Sequence, residues 1–261
     1  MTPDQERALR VEVPPNLSNI RFALMETLEP GNIGSAARAM KGMGISDLRL
    51  INPPPGWNES AEARKFAMNS KDVLYSAQTA ESLEEAIGDA HFVVGTTHRR
   101  RSRRMAEPAS AREAAVEIAR ASQSHQAAVL FGREDFGLCN EDLARCDLIA
   151  SIPMATKNPS LNLAQAAQIF AYEIFMASVG EIEPFQRKPA PHRDVQAAVR
   201  CIEEMLRAVE FRPMNGDWGA VTLALKRVMA RASLETRDLE VAMKICRSVE
   251  YFANETKTGT A

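Results

Sequence analysis

The sequence predicts an α/β protein: a parallel, Rossmann-like sheet flanked by helices, followed by a small all-helical C-terminal domain. Three observations carry this. Short aliphatic or β-branched runs alternate with helical patterns through the first two thirds of the chain, which is the rhythm of βαβ units. The runs are apolar throughout rather than alternating, as strands covered by helices on both faces must be. Between Gly180 and Pro191 the composition then shifts to Glu, Pro, Arg and Lys, and Pro184, Pro189 and Pro191 interrupt any regular element.

Taken in order, residues 1–18 are polar, contain Pro14-Pro15, and predict a flexible arm. Strands are expected at Ile20–Met25, Asp47–Ile51, His91–Gly95, Ala127–Phe131 and Leu148–Ile152. Between them, Ser35–Lys41, Ala61–Asn69, Ser82–Ile87 and Ala109–Ala121 have helix-forming composition. Leu161–Ala177 is long, apolar and alanine-rich, and predicts a major core helix closing an α/β domain of residues 19–180. After the linker, 181–191, the residues Val195, Ala198, Val199, Ile202, Met205, Leu206 and Val209 fall at amphipathic helical spacing. Helices at Trp218–Ala230 and Thr236–Phe252 complete a domain of residues 192–253, and the polar tail 254–261 is expected to fray.

With 261 residues, 45% hydrophobic and 25% charged, the chain has the composition of a folded globular protein. No apolar run approaches the roughly 20 residues of a bilayer span. The first residues are too polar for a signal peptide, so no membrane and a cytoplasmic location are expected. Cys139, Cys146, Cys201 and Cys246 show neither CxxC nor metal-ligand spacing; they read as reduced structural thiols, and no metal is expected. A formal net charge of −2 argues against a nucleic-acid partner. That average hides His98-Arg99-Arg100-Arg101-Ser102-Arg103-Arg104, five arginines within seven residues directly after a strand.

Ligands of open α/β sheets bind at the carboxyl ends of the strands, and three loops there carry polar groups. The first runs from Glu29 to Arg38, with Gly31 and Gly34 flanking Asn32 in what reads as a tight turn before a helix. The second is Phe131-Gly132-Arg133-Glu134-Asp135-Phe136-Gly137-Leu138. The third, Ile152 to Gln165, offers Ser160 or Asn162 as N-cap of the long helix. A nicotinamide-type fingerprint is excluded by placement: Gly42-Met43-Gly44 lies between a helix and a strand and lacks its third glycine. Phosphate-loop, HExxH and GxSxG patterns are absent from the sequence.

Asn32 with Arg38 six residues on, then FGxE at Phe131 to Glu134 with Gly137-Leu138, then Ser160-Leu161-Asn162 before a long helix: together these resemble the three motifs of the SpoU/TrmH-like branch of the SPOUT superfamily. The run Gly31-Asn32-Ile33-Gly34-Ser35 and the helical extension are most similar to its TrmJ group. The resemblance implies a domain ending in a trefoil knot, a homodimer, and an RNA ribose 2′-O-methyltransferase using S-adenosylmethionine. For the TrmJ group it implies nucleotide 32 of the tRNA anticodon loop. It also implies a donor site at Thr96, Thr97, His98, Gly132, Ile152, Pro159, Ser160 and Leu161, and a catalytic set of Arg38, Asn32, Glu134, Ser160 and Asn162.

Arg38 is then the group expected at the ribose hydroxyl. A guanidinium whose pKa exceeds about 12 is a poor general base, so binding the adjacent phosphate and stabilising the developing alkoxide is the preferred version. Glu134 reads equally well as a carboxylate capping backbone N–H groups. Arg99, Arg100, Arg101, Arg103 and Arg104 can grip phosphates, with Lys226, Arg227 and Arg231 as a second basic surface. His91, His125 and His192 read as structural or solvent-facing, the methionines as core filler, and Phe211 and Trp218 as anchors of the helical domain. A ribosomal RNA methyltransferase and a catalytically silent RNA-binding protein are the competing readings.

Overall fold

Ile20–Met25 forms β1, and all six of its residues are buried. Its alternate side chains feed two separate cores, as a two-residue period requires. Ile20, Phe22 and Leu24 enter one, while Ala23 and Met25 enter the other. This computed structural model describes residues 12–98, 107–156, 161–180, 188–232 and 234–258. β1 pairs in parallel with β2 (Asp47–Ile51) and β6 (Ala127–Phe131). β6 pairs with β4 (Phe92–Thr96), and β4 with β7 (Leu148–Ser151). Two short edge strands, β3 (Gln78–Ala80) and β5 (Ala109–Ser110), complete a parallel sheet in the order β3-β2-β1-β6-β4-β7-β5. At three and two residues they are too short to leave a pattern in the sequence.

The first helix, α1 (Pro30–Gly42), starts five residues before the predicted Ser35. Pro30 occupies the first helical position, where its fixed φ and missing N–H cost nothing, so the expected glycine turn is helix instead. The glycine that matters is Gly34, because a Cβ there would stand 2.1 Å from the Ala63 carbonyl oxygen. It lets α1 pack directly on α2 (Ala61–Ala67). α3 (Lys71–Ser76) was not anticipated; α4 (Leu83–Ile87) and α5 (Ala111–Ser122) lie near their expected places. Asn140–Leu143 adds a single turn, α6. The long helix α7 (Leu163–Ser178) packs between α1 and α5 on one face of the sheet. There Phe170 meets Phe131 edge-on at 5.7 Å, and Phe131 meets Phe22 at 5.0 Å.

On the opposite face Arg21, 3% exposed, donates to Asp47, Asp89 and the Ala86 carbonyl, fastening β1 to β2 and α4. Both partners' negative charge raises its pKa against the lowering effect of burial.

The last part of the segment expected to be a flexible arm, residues 1–18, is structured. Pro15–Asn19 forms a 3₁₀ turn in which Leu17 is fully buried, and the Asn16 amide donates to Ser122 Oγ and Ser178 Oγ. One apolar side chain and one satisfied amide are enough to seat the segment on α5 and α7. Residues 1–11 and 181–187 lie outside the described residues.

The helical domain comprises α8 (His192–Ala208), α9 (Trp218–Arg231) and α10 (Thr236–Thr258). Its small core joins Ala190, Ala198 and Leu239. His192, where the helical domain was expected to begin, is the first residue of α8 and is buried. The His192 and Arg193 N–H groups donate to Ala90 and Gly88 carbonyls, hanging the helix on the α/β domain. Arg207 stacks over Trp218 at 4.0 Å and Phe211 meets it edge-on at 6.3 Å, the anchoring expected. The tail is ordered further than expected, since α10 continues to Thr258. Among the described residues no helix is long and apolar enough to cross a membrane.

Candidate active site

A cavity opens at the carboxyl ends of β6, β4 and β7, three adjacent central strands. Thr96, Thr97, His98, Gly132, Ile152 and Leu161, all expected at the donor site from sequence, line it together. Pro159 and Ser160 lie outside the described residues, as do Arg99, Arg100, Arg101, Arg103 and Arg104. The walls are held by internal bonds: Thr96 Oγ1 donates to the Leu130 carbonyl (3.0 Å), and Thr97 N–H to that of Ala150 (2.9 Å). Phe131 and Phe170 close the floor, while Phe136 and Met154 stand exposed at the mouth. Sequence reasoning missed these last two. Their signal was a large apolar side chain in an otherwise polar loop at the ligand end of the sheet.

Gly132 is required by the chain's own backbone: Gly137 C and Leu138 N both stand 2.2 Å from where a Cβ would lie. Gly137, at φ 68, closes that turn by donating its N–H to the Arg133 carbonyl.

The three loops meet in one hydrogen-bonded chain beside the cavity. Glu134 accepts from the Asn32 side-chain amide (2.8 Å) and from the Leu28 N–H (3.1 Å). The Asn32 carbonyl oxygen accepts from the Asn162 amide at 2.8 Å. Asn162 then uses its own oxygen to cap α7, accepting from Ala164 N–H, while its backbone N–H donates to Gln165. Of the two cap candidates, Asn162 is therefore the N-cap. Residues 130 positions apart in sequence are thus joined through two amides and one carboxylate. Glu134 holds the loops, as the capping alternative has it.

Arg38 is placed apart from this chain. It projects from α1 as an exposed side chain, lies outside the cavity lining, and has no hydrogen bond or ion pair among the described residues. Of the second basic surface, Lys226 is half-buried, and burial followed by Arg145 pulls its ammonium below the usual lysine range. Arg227 is half-buried on α9, and the Arg231 side chain is outside the described residues. The thiols are free, and burial pushes that of Cys139 up to about 11.

A model of the SpoU rRNA methylase family matches residues 19–172, which contain the cavity and the whole amide chain. The chain belongs to this family. SpoU members similar to it include the tRNA (cytidine/uridine-2′-O-)-methyltransferase TrmJ of Pectobacterium atrosepticum, 36% identical over 247 residues, 92% of this chain and all of the relative. Among solved structures, TrmJ from Z. mobilis has a TM-score of 0.76 at 29% identity, covering 88% of this chain and 98% of the other. A putative methylase family protein from Neisseria gonorrhoeae gives 0.66 at 32% identity, over 74% of this chain and 98% of that one. Since the Z. mobilis match spans nearly the whole length, the helical domain belongs to the shared architecture.

Proposed function

We propose that the protein methylates the ribose 2′-hydroxyl of tRNA nucleotide 32, cytidine or uridine, with S-adenosylmethionine as donor. The observation that carries this is the joining of all three SpoU motifs by Asn32, Glu134 and Asn162 beside one cavity. Near-complete coverage of a TrmJ relative supports the tRNA substrate.

The cavity suits the donor: apolar Phe131, Ile152, Leu161 and Phe170 can cover an adenine, while backbone groups near Thr97 and Gly132 are at hand for its edges. When bound, S-adenosylmethionine supplies an electrophilic methyl group on sulfonium. The protein's part is alignment and charge. Glu134, Asn32 and Asn162 hold the loops of the cavity in register. Arg38 binds the phosphate beside the target and stabilises the alkoxide as the proton leaves for water or a phosphate oxygen. Because Arg38 stands off its own cavity, it serves the second site of a homodimer. Tyr172 and Met176, exposed on α7, provide an apolar surface for the second copy. The match to the SpoU family supports the trefoil knot expected of the domain. The arginine cluster and the helical domain grip the tRNA, and the site of action is the cytoplasm.

Labelled S-adenosylmethionine, offered with separate tRNA and ribosomal RNA pools, tests the reading. Ribose methylation at tRNA position 32 is expected, abolished by Arg38→Ala with donor binding nearly intact. Exclusive labelling of ribosomal RNA would favour the second reading, which the family's own description supports.

A further inference from the structure

One buried donor at the rim of the cavity lacks an acceptor. Arg133 Nε lies 3.0 Å from Glu26 Oε2, yet its N–H is not aimed at the carboxylate and makes no hydrogen bond among the described residues. The remainder of the pair is open, with the two side chains 34% and 37% exposed. A pair this exposed adds little stability and exchanges partners readily, whereas a buried unpaired N–H carries a desolvation penalty that a better-placed acceptor would remove. Glu26 itself sits at φ 46, the left-handed region that a side chain occupies only at a cost, and is held there by its N–H donating to the Ile51 carbonyl. Strain of this kind gathers where ligands are received. Among the described residues lining the cavity, Arg133 is the only lysine or arginine.

We propose that Arg133 is the oxyanion receptor of the cavity, and that the Glu26 carboxylate stands in for a reactant's oxyanion until one arrives. This rests on the methyltransferase reading above. Two reactants carry a suitable group: the donor, through the carboxylate of its amino-acid arm, and the RNA, through a phosphate. The planar guanidinium fork matches either with two parallel hydrogen bonds, the geometry Glu26 does not provide. Arrival of the reactant turns Glu26 out to solvent and gives the buried N–H its acceptor.

Calorimetry on the full chain separates the sources with three probes: S-adenosylhomocysteine, 5′-methylthioadenosine, which lacks the amino-acid arm, and tRNA. If the carboxylate is received, Arg133→Ala weakens S-adenosylhomocysteine roughly tenfold to a hundredfold and leaves 5′-methylthioadenosine unchanged. If a phosphate is received, the same variant weakens tRNA by a similar factor and neither nucleoside. In both cases Glu26→Gln, which removes the competitor, leaves that affinity equal or tighter, and unchanged 5′-methylthioadenosine binding shows that the variants fold. Parallel weakening of every probe by Arg133→Ala and Glu26→Gln would make the pair a structural strut and overturn the proposal. So would unchanged affinity for all three. Wild-type protein that binds neither nucleoside would instead sink the methyltransferase reading.

Discussion

Asn32 illustrates how much one side chain can be asked to do. An ionised Glu134 can only accept, so the Asn32 NH₂ must face it, which turns the Asn32 oxygen to the Asn162 NH₂ and the Asn162 oxygen to Ala164 N–H. The polarity of the chain is fixed from one end. Asn32→Ala removes one of the two donors to Glu134 and the acceptor of the exposed Asn162 amide, and is expected to cost about 0.5–1.5 kcal/mol. Asn32→Asp, nearly identical in shape, sets a carboxylate against Glu134 and should be worse despite the conservative look, since like charges repel at hydrogen-bond distance. Urea unfolding of both variants checks the order; an aspartate variant as stable as wild type would mean the amide chain is not what aligns the loops. The participants were legible in the sequence as spaced polar residues in three loops. Their hydrogen bonds were not, because the partners lie 102 and 130 positions apart and only the fold closes that distance.

At the scale of elements, the central strands and long helices were readable because their buried faces are continuous. What escaped was set by tertiary packing. The start of α1 at Pro30, the seating of Asn16 and Leu17, and the edge strands β3 and β5 depend on neighbours remote in sequence. His192 shows the same effect: the start of the helical domain at 192 was legible, but its burial against the α/β domain was not. Burial, followed by Arg145, lowers its pKa to about 4, with Glu84 opposing and Lys226 adding to the fall. The folded pKa lies below the ordinary value of 6.5, so the unfolded chain takes up a proton first as the pH drops. Stability is therefore full above about pH 6.5 and is lost progressively toward pH 4. By pH 5 the loss from this group should reach about 2 kcal/mol, and His192→Gln should flatten that part of the profile. Melting curves from pH 8 to 5 test it; identical wild-type and variant slopes would remove His192 from the joint between the domains.

For the whole molecule, β4 doubles as a measuring rod. Thr96 at its carboxyl end lines the cavity, while just before its other end Ala90 receives the N–H of His192 and so carries the helical domain. The six residue steps from Ala90 to Thr96, at about 3.3 Å each, put the two attachments roughly 20 Å apart on opposite ends of the sheet. An RNA held by both would be gauged for length as well as sequence, with the helical domain meeting a part of the substrate that the cavity does not. An isolated anticodon stem-loop should accordingly be methylated with a lower kcat/KM than full tRNA, with the loss mainly in KM, and deleting the helical domain from residue 188 onward should abolish that difference. Equal efficiency on both substrates with the intact chain would show that the far end of the gauge touches nothing. On the proposed function, distance along one short strand would become a criterion of substrate choice that adds to any reading of the bases.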